Sequence, residues 1–250
     1  MPVFPIREII DEAGFFRLPA SDLHHLRRVL RVKEGDSFAV VHPDGREGRA
    51  ILRKKGKDYF GQTSGQTNLS EGDASTLLPL TLGVGLIRWP RMEWLVEKAS
   101  ELGVARLVPL TLNQGSRGSD AVSPAKIARL RKISQETLKQ CARPQGPAIE
   151  NPQALPDFLA ACAQPLHKIC LDESAQGPHL LEYLQGENPK APFCFLIGPE
   201  GGFSPKEREK ISGKNFQTVT LGAIKFRTET AAIYGASLLD AFLQGQGGRR

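Results

Sequence analysis

Two short stretches in the last quarter of the chain concentrate side chains able to do chemistry. The first, Arg227-Thr228-Glu229-Thr230, sets a cation, a carboxylate and two hydroxyls in four residues. A guanidinium stabilises an anion as it develops, and a carboxylate takes a proton from a weak acid. The second, Gly198-Pro199-Glu200-Gly201-Gly202, places a further carboxylate among glycines. These glycines have two readings. They supply a turn with positive φ, or they let backbone N–H and C=O groups approach a flat or charged ligand. The polar density of the first stretch exceeds what a turn requires, which favours the ligand.

Each stretch needs an element to hold it, and each follows an apolar run. Phe193-Cys194-Phe195-Leu196-Ile197 leads into the glycine loop, and Thr218-Val219-Thr220-Leu221 leads into Gly222. Such runs, followed by glycine and a helix start, read as buried parallel strands feeding loops. Ser204-Pro205-Lys206-Glu207 spells a capping box, with Ser204 as N-cap and Pro205 in the first helical position. Thr228 is expected to cap the helix after it. Two adjacent strand-to-helix loops at one edge of an α/β sheet are a usual ligand site.

The stretches Leu196 to Ser204 and Leu221 to Ala231 resemble the paired signature loops of the SPOUT methyltransferases. More narrowly, they resemble the ribosomal RNA small subunit methyltransferase E family, which methylates N3 of a uridine in 16S ribosomal RNA. His24 to Arg31, Arg91 to Val104 and Gln140 to Arg143 carry the same resemblance, so that it spans nearly the whole chain.

The resemblance implies a C-terminal SPOUT α/β domain with a deep trefoil knot and a mainly parallel sheet, behind a small PUA-like RNA-binding β-barrel. It implies S-adenosyl-L-methionine as cofactor, a homodimer, 16S ribosomal RNA or the small ribosomal subunit as partner, and a cytoplasmic location. By its motifs the cofactor site comprises Leu171, Ile197, Gly198, Pro199, Gly201, Gly202, Leu221, Gly222, Ile224, Thr228 and Thr230. Arg227 takes the anion-stabilising role, and Glu229 or Glu200 that of the base. RNA contacts fall to His24, His25, Arg27, Arg28, Arg31, Arg91, Arg117, Arg131 and Arg143. Lys225-Phe226 stands where the family usually has two aliphatic residues, which bears on packing around the cofactor.

Composition agrees with a soluble protein that meets a polyanion. The chain has 250 residues, 40% hydrophobic and 24% charged, with a formal net charge of +6. No apolar run reaches membrane-spanning length, and the N-terminus shows no secretory pattern. The basic residues cluster. Lys126, Arg129, Arg131, Lys132, Lys139 and Arg143 form one group, Arg27, Arg28, Arg31 and Lys33 a second, and Arg53, Lys54, Lys55 and Lys57 a third. One such cluster could be a solvated face; three favour a nucleic acid. Cys141, Cys162, Cys170 and Cys194 are scattered and read as free thiols, and no histidine–cysteine spacing suits a metal.

The organisation is read as two domains, 1–75 and 76–245. In the first, a helix from Ser21 to about Val32 precedes short strands at Ser37–Val41, Gly48–Leu52 and Tyr59–Thr63, a β-barrel pattern. Residues 66–78 are polar and read as the linker. Beyond them strands alternate with helices: strands at 80–87, 104–110, 167–171, 193–197 and 218–221, and helices from Pro90, Ser123, Asp157, Pro178, Ser204 and Glu229. Gly83-Val84-Gly85 lies within a strand and is no dinucleotide fingerprint. Two rival functions remain: a non-catalytic RNA-binding assembly factor, and a SPOUT enzyme acting on transfer RNA. A nucleotide hydrolase is disfavoured, because the chain has no G-x-x-x-x-G-K-[ST] motif.

Overall fold

The computed structural model describes residues 2–6, 13–43, 46–67, 77–112, 122–162, 167–172, 177–186 and 192–246. The chain divides into two compact units. One holds residues 1–76 and 135–145, the other 77–134 and 146–249, with Arg250 grouped in the first.

In the smaller unit, strands β1 (Phe4–Pro5), β2 (Phe15–Arg17), β3 (Ser37–Val41), β4 (Glu47–Lys55) and β5 (Asp58–Thr67) form one sheet in the order β1-β3-β4-β5-β2. β1 lies parallel to β3, and the other pairs are antiparallel. The inward face buries Phe4, Phe16, Phe38, Val40, Ala50 and Leu52, with Leu26 from the preceding helix. That helix departs from expectation. It begins at Ala20, after Pro19, rather than at Ser21, and α1 (Ala20–His24) passes into a π-helical turn over His25–Val29. Such a wider turn is rare and occurs mostly as a single turn within a helix. The expected linker also starts too early: β5 continues to Thr67, opposite Gly48. Residues 68–76 lie outside the described part, and Leu78 already opens the next strand.

The larger unit is an α/β layer. Its strands are β6 (Leu78–Gly85), β7 (Val104–Thr111), β8 (Ala148–Ile149), β9 (Gln153–Ala154), β10 (His167–Leu171), β11 (Phe193–Ile197) and β12 (Gln217–Val219). They run in the order β12-β10-β11-β6-β7-β8, with β9 also on β7. Each of these pairings is parallel. The helices are α2 (Trp89–Leu102), α3 (Pro124–Gln140), α4 (Leu155–Ala161), α5 (Leu180–Gln185), α6 (Pro205–Ser212) and α7 (Thr228–Gly245). Residues of α3 up to Ser134 belong to this unit, and the later ones group with the smaller unit.

β11 is apolar throughout and every residue of it is buried, as expected of a central parallel strand. One core cluster joins β6, β10 and β11 to α2, α5 and α7. Another places Phe158, Leu159 and Ile211 of α4 and α6 with Cys170, Cys194 and Leu196. The glycines of β6 are packing residues: a Cβ at Gly83 would stand 2.5 Å from the Phe158 ring, and one at Gly85 2.7 Å from Pro199. On α7, a Cβ at Gly235 would meet Leu171 at 2.9 Å, so that glycine lets the helix settle close on the sheet.

Candidate active site

β10, β11 and β12 lie side by side and parallel, so their C-terminal ends reach the same edge of the sheet. The segments that follow them enclose a cavity of about 490 Å³, within the range of small-molecule sites. It is lined by Leu171 and Asp172 after β10, by Ile197 to Phe203 after β11 with Arg208 of α6, by Leu221, Gly222 and Ile224 to Arg227 after β12, and by Thr228 and Ala231 of α7. Ten of the eleven expected cofactor residues are among these. Thr230 is not; it lies in the first turn of α7 but does not reach the cavity wall.

The two loops are built differently. Gly198 keeps ordinary φ, and its bare backbone packs on Gly202, whose Cα would stand 3.2 Å from a Cβ at Gly198. Gly202 itself holds φ +69 and donates to the carbonyl of Pro199, closing the turn. The expected capping box is present. Ser204 Oγ accepts from the Glu207 amide, and the Glu207 carboxylate accepts from the Ser204 amide at 2.8 Å. Gly222 holds φ +112, with open space where a side chain would stand.

Thr228 does not cap α7. The N-cap position is Arg227, one residue earlier, and its side chain makes no capping bond. Once the helix starts there, the buried Thr228 hydroxyl points back to β11 and donates to Gly198 O at 2.9 Å. A single hydrogen bond thus ties the second signature segment to the first.

The carboxylates are held by an arginine from another element. Arg91 of α2 pairs through Nη1 with Glu200, and its Nε lies 3.6 Å from Glu229 Oε1. Glu229 is 6% exposed, and its Oε2 is buried with no hydrogen-bond partner among the described residues. A carboxylate oxygen so placed can accept one more donor. Glu229 stands behind the cavity wall, whereas Glu200 and Arg227 line it. Arg227 is exposed, and its side chain has no ion pair or hydrogen bond with any described residue.

Sequence reading missed Asp172 and Arg208. Arg208 Nη2 lies 3.2 Å from Asp172 Oδ2, and Arg208 Nε donates to Phe203 O at 3.1 Å. Lys225 and Phe226 both line the cavity, and Phe226 rests on Tyr234 with ring centroids 5.3 Å apart.

The expected RNA contacts separate by environment. In the smaller unit His24, Arg27, Arg28 and Arg31 are exposed, and the Arg27 guanidinium lies 4.2 Å above the Tyr59 ring. Lys54 faces the same ring and Lys55 faces Phe15, so the sheet presents cations over aromatic faces. His25 is half-buried and packs edge-on against Phe4, and Arg143 is also half-buried. In the larger unit Arg131 is engaged at the sheet margin, donating to Ile149 O and Asn151 Oδ1. Arg117 lies outside the described residues.

Against known proteins, residues 74–240 match the family model described as RNA methyltransferase domain, and residues 18–60 match that of the RNA methyltransferase PUA domain. The chain is similar to a ribosomal RNA small subunit methyltransferase E of Bacillus subtilis, 26% identical, with 94% of this chain and 93% of that one covered. A protein of the same name from Synechocystis is 29% identical, with 91% and 73% covered. Among solved structures, a putative methyltransferase of Legionella pneumophila, in complex with the bound cofactor SAM, is 28% identical with a TM-score of 0.77, over 96% of each chain.

Proposed function

Because the chain belongs to the RNA methyltransferase family, its matched domain covering residues 74–240, we propose that it is an S-adenosyl-L-methionine-dependent methyltransferase acting on N3 of a uridine in 16S ribosomal RNA. The observation that carries this reading is the cavity at the ends of β10, β11 and β12, with two carboxylates tethered by Arg91 beside it.

The residues present suit the cofactor. Gly222 offers bare backbone to open space where a Cβ would intrude, and Gly198 and Gly202 keep side chains off the opposite loop. These are the surfaces a flat purine needs for backbone contact. When bound, the cofactor supplies an electrophilic methyl group on a sulfonium. The protein then has to orient the acceptor and prepare it as a nucleophile. N3 of uridine is a weakly acidic imide nitrogen, which becomes a nucleophile able to accept the methyl group only as its proton leaves.

In this reading Glu229 or Glu200 takes the proton. The unpartnered Oε2 of Glu229 supports the former, and the position of Glu200 on the cavity wall the latter. Exposed Arg227 stabilises negative charge on the neighbouring carbonyl oxygens. The exposed cations of the smaller unit, Arg27 over Tyr59 above all, hold the RNA backbone and stacked bases.

A homodimer and the trefoil knot belong to the same proposal. Ile224 is 72% exposed although it lines the cavity, and Tyr234 and Trp94 are exposed as well. A second copy covering Ile224 would complete the cavity wall. Light scattering after size exclusion checks the dimer.

The function is tested by methyl transfer from labelled S-adenosyl-L-methionine to unmodified small ribosomal subunits, with naked ribosomal RNA and transfer RNA in parallel. The product is mapped by reverse transcription, because a methyl on N3 blocks the Watson–Crick edge. One stop in small-subunit RNA is expected. Label in transfer RNA alone would move the substrate, and absence of cofactor binding would favour an assembly factor.

A further inference from the structure

Asp172 and Arg208 are an ion pair in the wall of the cavity that no motif pointed to. Asp172 follows β10 directly and is 9% exposed. Arg208 is fixed twice, by the Asp172 carboxylate and by the carbonyl of Phe203. The helix bearing it is fixed in turn by the Ser204–Glu207 capping box. Asp172 is the only buried carboxylate among the described residues lining the cavity; Glu200 is exposed and drawn to Arg91.

The chemistry of the pair limits what it recognises. A carboxylate balanced by a guanidinium carries little net charge, and its two oxygens together offer about four acceptor sites. Neutral donors fit that environment. An ammonium group would set a second cation beside Arg208, and an anion would face the carboxylate itself. A vicinal diol offers two neutral O–H donors at the spacing of the two carboxylate oxygens. An acidic side chain near the end of a parallel strand performs this task for nucleotide riboses in other α/β folds.

We propose that Asp172 accepts the ribose hydroxyls of the cofactor and that Arg208 is the positioning residue that holds its carboxylate. The assignment rests on the cofactor reading above. It makes the adenosine half, rather than the amino-acid half, the part of the cofactor that this wall selects.

The test is calorimetric binding to the full chain, without RNA or turnover. The probes are S-adenosylhomocysteine, 5′-methylthioadenosine, which lacks the amino-acid group, and the 2′-deoxy form of the latter. The wild type is expected to bind the first two and to lose about 10- to 100-fold with the deoxy probe, as for hydrogen bonds to a charged group. Asp172→Asn should weaken both parent probes by a similar factor and discriminate little further against the deoxy form. Arg208→Met should erase the same discrimination, and Arg208→Lys should restore part of it, which a merely structural loss would not do.

Equal wild-type affinity for the parent and deoxy probes would overturn the proposal whether or not any variant folds. So would an Asp172→Asn defect confined to S-adenosylhomocysteine, which would place Asp172 at the amino-acid end. A wild type that binds none of the probes would remove the cofactor reading, and the ribose assignment with it.

Discussion

Replacing Thr228 with valine isolates the bond that joins the two signature segments. Valine keeps the size and branching of threonine, so helix propensity at this first position of α7 hardly changes. What is lost is the 2.9 Å hydrogen bond to the carbonyl of Gly198, a buried residue. Leaving such an acceptor unsatisfied costs about 1–3 kcal/mol. Serine keeps the hydroxyl and loses one buried methyl, worth about 0.8 kcal/mol. Both tryptophans of the chain, Trp89 and Trp94, lie in α2, so fluorescence in a urea titration reports on the larger unit alone. The valine variant should unfold at a urea midpoint lower by about 0.5–1 M, and the serine variant by clearly less. Its loosened Gly198 loop should also weaken cofactor binding. If Thr228→Val is as stable as Thr228→Ser, or more stable, the hydroxyl bond is not what joins these segments.

Other expectations follow from the same geometry. Gly222→Ala meets no atom but is forced to φ +112, so it should cost about 1–3 kcal/mol in loop strain and lower cofactor affinity in calorimetry. Arg91→Met should leave the buried Glu229 carboxylate without its cation, lowering both the melting temperature and methyl transfer; adding Glu229→Gln should recover melting temperature but not transfer. The Arg129 guanidinium, hydrogen-bonded to Glu93, holds that carboxyl below its usual range. Its small stabilisation is therefore present above the unfolded carboxylate range and lost as pH falls through the depressed value. Glu93→Gln should flatten that part of an acid-unfolding curve, and added salt should shrink the difference. Burial pushes the Cys170 thiol far up, and the hydrogen-bond contact with the free thiol of Cys162, 3.5 Å between sulfurs, together with burial raises Cys194 as well. Maleimide at neutral pH should label half-buried Cys141 first, with Cys170 and Cys194 labelled only in denaturant, as read by peptide mass spectrometry.

The sequence disclosed most where local signals were strong. β10 and β11 lie at the expected residues: β11 is an apolar run from end to end and stops at Gly198, and β10 closes on the apolar residues Ile169, Cys170 and Leu171. The capping box formed as spelled, since it involves only neighbours along the chain. β1, β2, β8 and β9 are two or three residues long, too short for periodicity to register, and exist only because longer strands offer them an edge. The loop residues of the site were legible through their glycines, but the partners of its charged groups were not. Arg91 read as an RNA contact, and nothing in the sequence joined it to Glu200, a pairing made only when α2 packs near the β11 loop. Asp172 and Arg208 escaped notice for the same reason: one follows an ordinary strand and the other sits on an ordinary polar helix face. Thr228 looked like a cap because the start of α7 was placed one residue late.

The position of β6 bears on how the protein is made. This strand is made well before β11, its partner on one side, where Leu80 stands opposite Phe193. Until the later segment leaves the ribosome, β6 has only β7 beside it, its other edge is open, and its buried leucines lack α7. Parallel pairing across so long an interval is slow, and open strand edges in the meantime invite wrong partners. The larger unit therefore completes its sheet only after β11 and α7 have both been made.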